Sequence, residues 1–188
     1  MNDFFLINNE TLPYDFLDHK IEIKQIQVKN LNRFAQFADP FKRLEDPSVE
    51  AITPLIEDQI LNIMGLCSLV TTLTPNFLIE NLGQSNAITQ LIIKIIQVNE
   101  AYFKNEKAKT RKKDNSKKSS WFDSFQLLVS NGHRTDDILE MSYGAFTEYL
   151  KAAQRSDSQR LKLNSIAIRS AQHANQNDFK KFLSGLDG

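Results

Sequence analysis

The chain has 188 residues, 41% of them apolar and 13 of them Phe, which is enough apolar surface to offset the entropy of ordering one domain or two small ones, and too much for a disordered chain. Its 23 Lys and Arg balance 23 Asp and Glu, so no whole-molecule field recruits nucleic acid or an anionic membrane and any charge argument is local. A single cysteine, Cys67, excludes an intramolecular disulfide and a multi-thiolate zinc site, and suits a reducing compartment.

The segment MNDFFLINNETLPYDF carries Asp3 and no Lys or Arg ahead of its short apolar run. That is opposite to the basic start of a secretory signal, so a cytoplasmic protein is expected. Within residues 4–28, FFLI precedes the turn-prone NNETLP, Ile21-Glu22-Ile23 alternates, and Ile26-Gln27-Val28 resumes on a shifted register. This predicts a small hairpin or three-stranded piece with a bulge near Gln25, which must pack on helices. With Asn30 as cap, Leu31, Phe34, Phe37 and Ala38 fall three to four apart and predict a helix limited by Pro40. Thr53-Pro54 predicts the start of a helix through LIEDQILNIMGLCSLVTTL, and Thr74-Pro75 a short one stopped by Gly83. Ser85 caps a helix through Ile88, Leu91, Ile92, Ile95, Asn99, Tyr102 and Phe103. It is apolar over most of its circumference and so is expected to be central or at an interface. The apolar runs are too short and too interrupted for the roughly 20 residues a bilayer needs, and no membrane partner is expected.

Residues 104–120, KNEKAKTRKKDNSKKSS, hold eight Lys or Arg against Glu106 and Asp114 and no large apolar residue. The segment is therefore +6 and the remainder of the chain -6, a composition that reads as a polar flexible linker. A site for an acidic partner or nucleic acid is the sharper reading, but the interleaved aromatics that stack on bases are missing. The expected organisation is a small sheet plus helical domain at 1–103, the basic linker at 104–120, and a helical region at 121–188. In that last region Trp121, Phe122, Phe125, Leu128 and Val129 share a helical face that ends at Gly132. Thr135, Asp136 and Asp137 open a short helix through Ile138, Leu139 and Met141. Ser142 caps a longer helix whose stripe of Phe146, Tyr149, Leu150 and Ala153 continues through Leu161, Ile166 and Ile168. The pattern breaks at 175–178 before Phe179, Phe182, Leu183 and Leu186. The fold class is mainly α with a small N-terminal β-hairpin or sheet, and no solenoid repeat is visible.

The residues assemble no recognisable chemistry. His133 with Asp136 and Asp137 has the makings of a base and its orienter, yet a cation after one helix end and two carboxylates in the next first turn are what the helix dipoles favour. His19 and His173 lack metal-ligand spacing, and Cys67 lies inside an apolar helix as a structural thiol. No glycine cluster cradles a phosphate. No catalytic, cofactor-binding or metal-binding residue is therefore assigned, no cofactor is expected, and the chain is read as a non-enzyme. What remains is surface for other chains. The aromatics Phe34, Phe37, Trp121, Phe122, Phe125, Tyr143, Phe146, Tyr149, Phe179 and Phe182 are mostly core at such spacing, but a stripe that exceeds what its own fold covers can serve a partner helix or extended peptide.

The stretch SSWFDSFQLLVSNGHRTDDILEMSYGAFTEYLKAAQR resembles the C-terminal part of tail assembly chaperones of long-tailed bacteriophages and prophages, in which an apolar helix, a Gly turn and a Met-Ser/Thr-x-x-x-Phe helix start recur. IEIKQIQVKNLNRFAQFADPF is similar to the opening of related phage tail proteins. The matching residues are Trp121, Leu127, Leu128, Gly132, Ile138, Met141, Phe146 and Leu150, and the lysine-rich connector departs from the pattern. The resemblance implies a small helical protein of the bacterial host cytoplasm that binds the tape-measure protein and helps recruit tail-tube subunits. Its candidate protein-binding residues are Trp121, Phe122, Phe125, Leu128, Met141, Phe146 and Leu150. The alternatives are a structural minor tail or baseplate component and, last, a nucleic-acid-binding regulator using the basic segment.

Overall fold

A computed structural model describes residues 5, 7–104, 120–173 and 175–185. The expectations for the basic segment at 105–119, for Phe4 and Leu6, and for Leu186 lie outside the described residues. The chain divides into two compact units, Met1–Glu148 and Tyr149–Gly188. Residues 121–148 thus belong with the first unit, whereas the sequence predicts a separate region from 121 onward.

The fold is mainly helical, with one two-stranded antiparallel sheet near the N-terminus. Strands β1 (Leu12–Phe16) and β2 (His19–Ile23) pair from Leu12↔Ile23 to Phe16↔His19. Leu17 and Asp18 connect them at φ 48° and 64°, the double positive φ of the tight turn whose twist matches a hairpin. The turn is therefore one element later than NNETLP, and Leu12 and Pro13, expected in that turn, are strand. Phe5 and Ile7 are helical rather than extended. The alternation of Ile21 and Ile23 does mark a strand, and both side chains are buried.

The third extended piece is real, but it pairs elsewhere. The Lys24 N–H donates to Val70 O at 2.7 Å, and Ile23 bridges Thr71. Further along, Val28 N–H donates to Met141 O at 2.9 Å and Tyr143 N–H to Ile26 O at 2.8 Å, with Gln27 bridging Ser142. One short extended strip thus fastens two distant parts of the chain to the hairpin. Buried Asn99 completes the fastening, because its Oδ1 accepts from Ile26 N–H at 2.7 Å and its Nδ2 donates to Lys24 O and Ile95 O.

Helix α1 (Leu31–Lys42) buries Leu31, Phe34, Ala38 and Phe41. It runs two residues past Pro40, because a proline in the last turn forfeits one bond while continuing buries Phe41. The cap expected from the Asn30 side chain is not made. The single long helix expected from Thr53 is broken. A short α2 (Val49–Ile52) is capped by the Ser48 hydroxyl, a 3-10 turn follows at Thr53–Leu55, and α3 runs Ile60–Val70. Thr53 does not cap; its hydroxyl donates to Val49 O at 2.8 Å. Gly65 lets α3 lie against α1, since a Cβ there would meet the Phe37 ring at 2.5 Å.

Thr74 caps α4 (Pro75–Glu80) as its sequence implies, accepting from Phe77 N–H. Helix α5 (Ser85–Val98) buries Ile88, Leu91, Ile92, Ile95, Ile96 and Val98 and is the centre of the core, as expected of a helix apolar nearly all round. Asn99 separates it from the single turn α6 (Glu100–Phe103). The apolar core joins β2, α1, α3 and α5.

Beyond the basic segment come α7 (Trp121–Ser130), α8 (Thr135–Glu140), α9 (Tyr143–His173) and α10 (Gln176–Ser184). Residues 143–148 of α9 belong to the first unit and the rest to the second. In the second unit the Asn175 carboxamide caps α10 by accepting from Asn177 and Asp178 N–H. Among the described residues no helix is long and apolar enough to cross a membrane.

Candidate protein-binding face

Helix α7 is held at both ends. At its start the Ser120 hydroxyl accepts from Asp123 N–H at 3.1 Å, while the Asp123 carboxylate accepts from Ser120 N–H at 2.8 Å, a reciprocal box that satisfies two orphan donors. The Ser120 backbone N–H, then its side chain, hold the Asp123 carboxyl below its ordinary value. At the other end Gly132 adopts φ 95°, and the bonds His133 N–H to Leu128 O and Gly132 N–H to Val129 O close a left-handed cap. The Gly132 stop is where the sequence puts it.

The expected single apolar face of α7 divides by depth. Leu128 is fully buried and Phe125 half-buried, while Trp121 is 54% and Phe122 76% exposed. Under them Phe146, 2% exposed, makes the floor. Trp121 stacks on it with ring centroids 5.7 Å apart, and Phe125 meets it at the same distance, tilted. Leu128, Ile138, Ala145 and Phe146 are buried within this part of the first unit. Met141 is half-buried, and its carbonyl is spent on Val28. Leu150, also half-buried, falls in the second unit.

The sequence reading leaves Tyr143 out of the site, although it holds the face in place. Its ring meets Phe146, Trp121 and Tyr102 with centroids 6.5, 6.4 and 5.9 Å apart, and Tyr102 in turn meets Phe34 of α1 at 5.1 Å. An unbroken run of rings thus leads from the core to the exposed indole. Burial, then Asp39 and Tyr143, push the Tyr102 phenol up, and Lys42 lies over that ring at 4.0 Å. The one available signal for Tyr143 was its place directly after the capping Ser142, whose hydroxyl accepts from Ala145 N–H. Lys29 and Glu140 pair at 2.6 Å beside the junction, partly exposed, and so contribute little beyond register.

This arrangement offers rings and a floor, and no assembled reactive groups. Among the described residues no group of three or more His, Cys, Asp or Glu stands close enough to hold a metal ion. Cys67 is fully buried, and burial pushes its thiol up to about 12. A cavity beside Tyr143, lined by Gln25, Ile26, Asn99 and Tyr102, holds only about 10 Å³, the size of one water. No protein-family model, curated protein or solved structure matches the chain.

Proposed function

We propose that this protein is an assembly chaperone of the phage-tail type, a non-catalytic helical protein that holds an apolar helical segment of a tape-measure protein in the host cytoplasm and helps recruit tail-tube subunits. The observation that supports the reading is the pair Trp121 and Phe122, large and exposed on a helix fixed by caps at both ends and backed by the buried Phe146. Large exposed rings on a rigid support are the usual anchors of protein interfaces, because they bury much area while losing little conformational freedom. The motif resemblance around Trp121 to Leu150 supplies the kind of partner.

The test is co-expression of the protein with the tape-measure protein of the same genome, followed by pull-down and thermal melting of the same preparations. The expected result is capture that Phe122→Ala weakens by about 2 kcal/mol while the melting temperature holds. Full-strength capture by folded Trp121→Ala and Phe122→Ala variants removes this face. Recovery of the protein in purified mature virions reassigns it to a structural tail component.

A further inference from the structure

A second surface, in the other unit, has a different chemistry. From 154 to 173 no residue of α9 is buried. The apolar stripe that the sequence continues through Leu161, Ile166 and Ile168 is uncovered here: these residues are 69, 43 and 60% exposed, and Leu163 is 59% exposed. Along this stretch Gln154, Ser158, Leu161, Ser165, Ile168 and Gln172 follow one another four and three residues apart in strict alternation. That spacing keeps one line of side chains facing a partner helix over about 27 Å.

The flank of the line is cationic. Arg155, Lys162 and Arg169 come seven apart, each directly after Gln154, Leu161 and Ile168, so they stand together on one side of the seam. All three are exposed, and none has an ion-pair or hydrogen-bond partner among the described residues. By contrast Arg160 is already paired with Asp157 at 3.0 Å. The charge is part of a wider division. Residues 149–188 hold seven Lys or Arg against three Asp or Glu, a net +4, while 1–103 and 121–148 together hold eight against eighteen, a net -10.

We propose that the 154–172 face of α9 docks an acidic helix of another protein, one with its own 3-4 apolar line flanked by Asp or Glu at seven-residue intervals. The claim goes beyond the chaperone reading and does not depend on it, since it concerns another surface and another partner chemistry. Three other occupants fit less well. A nucleic-acid duplex neutralises the cations but leaves Leu161 and Ile168 uncovered. A membrane surface calls for one broad apolar face, whereas Leu163 and Ile166 lie on roughly the opposite side of the helix from Leu161. A second copy in antiparallel pairing sets the three cations against themselves. In parallel pairing it offers them Asp157, Asn164 and Ala171, a single carboxylate that already serves Arg160. With only Leu161 and Ile168 as large apolar seam residues, charge carries much of the affinity, which therefore falls with salt.

The experiment measures fluorescence anisotropy of a designed 28-residue helical peptide, Leu at its seam and Glu at its flanks, titrated with the full chain. The same peptide with Lys at its flanks, a 20-base-pair duplex and phosphatidylglycerol vesicles run in parallel. The expected result is binding of the Glu peptide at least tenfold tighter than the Lys peptide, and at least tenfold weaker at 300 mM than at 50 mM salt. The triple variant R155E/K162E/R169E should reverse the preference. Leu161→Ser with Ile168→Ser should weaken binding while keeping the salt dependence. All these positions are exposed, so circular dichroism should be unchanged. Equal binding of both peptides, no response to the triple variant, tighter binding of duplex or vesicles, or self-association lost in the Leu161→Ser and Ile168→Ser variant would each overturn the proposal.

Discussion

Depth in the structure decides what each notable side chain does. Phe146 and Phe122 are 24 residues apart, carry the same ring, and have opposite roles. Phe146 is the floor on which Trp121 and Phe125 rest, so Phe146→Ala removes a buried ring and opens a cavity, and should cost roughly 3–5 kcal/mol in chemical denaturation. Phe122→Ala removes an exposed ring and should stay within about 0.5 kcal/mol of the parent in the same measurement. A large stability loss at Phe122 with none at Phe146 would invert the assignment of floor and anchor. Cys67 provides a second residue-scale check. Its thiol titrates near 9 when unfolded and near 12 when folded. The contribution of the buried neutral thiol is therefore intact below pH 9 and decays as pH climbs from there toward 12, at about 1.4 kcal/mol per pH unit. The stability advantage over Cys67→Ala should accordingly narrow between pH 8 and pH 10, and native protein should resist iodoacetamide at pH 8. An advantage that stays constant across that range would mean that the thiol is not held neutral by burial.

At the scale of elements, legibility follows whether the signal is local. Thr74-Pro75, the Gly132 stop and the Ser142 cap are readable because capping is settled within one turn by a side chain and its own neighbours, whereas α5 starts at Ser85 after Gln84 without the side-chain cap expected of Ser85. The hairpin was placed one element early because Leu17 and Asp18 take positive φ without the Asn or Gly that usually marks such a turn. The break between α2 and α3 was missed because Thr53, a good cap by type, spends its hydroxyl on Val49 and meets the Thr89 hydroxyl, a partner 36 residues away. The depth division of α7 was likewise invisible, since helical spacing groups Phe122 with Leu128 without saying which one the fold covers. The local rule that did hold can be tested directly. Among the described residues other than its two chain neighbours, nothing lies within 4 Å of a Cβ added at Gly132, so Gly132→Ala meets only the backbone cost of φ 95°, about 1–2 kcal/mol of stability. Gly132→Asn should lose less, because Asn tolerates left-handed backbone. Equal stability of all three in urea denaturation would show that the helix does not depend on this cap.

At the scale of the whole molecule, the composition break at 104–120 invites a division of the chain there, and the hydrogen bonds argue otherwise. The links that join 121–148 to the N-terminal part include a short strip, 26–28 against 141–143, the bonds of Gln27 and Lys29 to Glu140, and the ring contact of Tyr102 with Tyr143. A strip so short has no hydrophobic period to read, so sequence alone placed the boundary at the most conspicuous polar segment. Buried backbone bonds of this kind are costly to leave unmade, at about 1–3 kcal/mol for each orphaned group, and the aromatic run beside them adds apolar burial. A protease site inserted between Lys107 and Lys118 should therefore yield two pieces that stay together. After complete cleavage they should co-elute at the size of the intact chain in native buffer and separate only in denaturant. A Tyr143→Ala variant, which removes the ring linking Phe146 to Tyr102, should weaken that association while the uncut protein still folds. Separation of the wild-type pieces in native buffer would show that the chain is divided at the basic segment after all, with the aromatic face on α7 borne by the C-terminal piece alone.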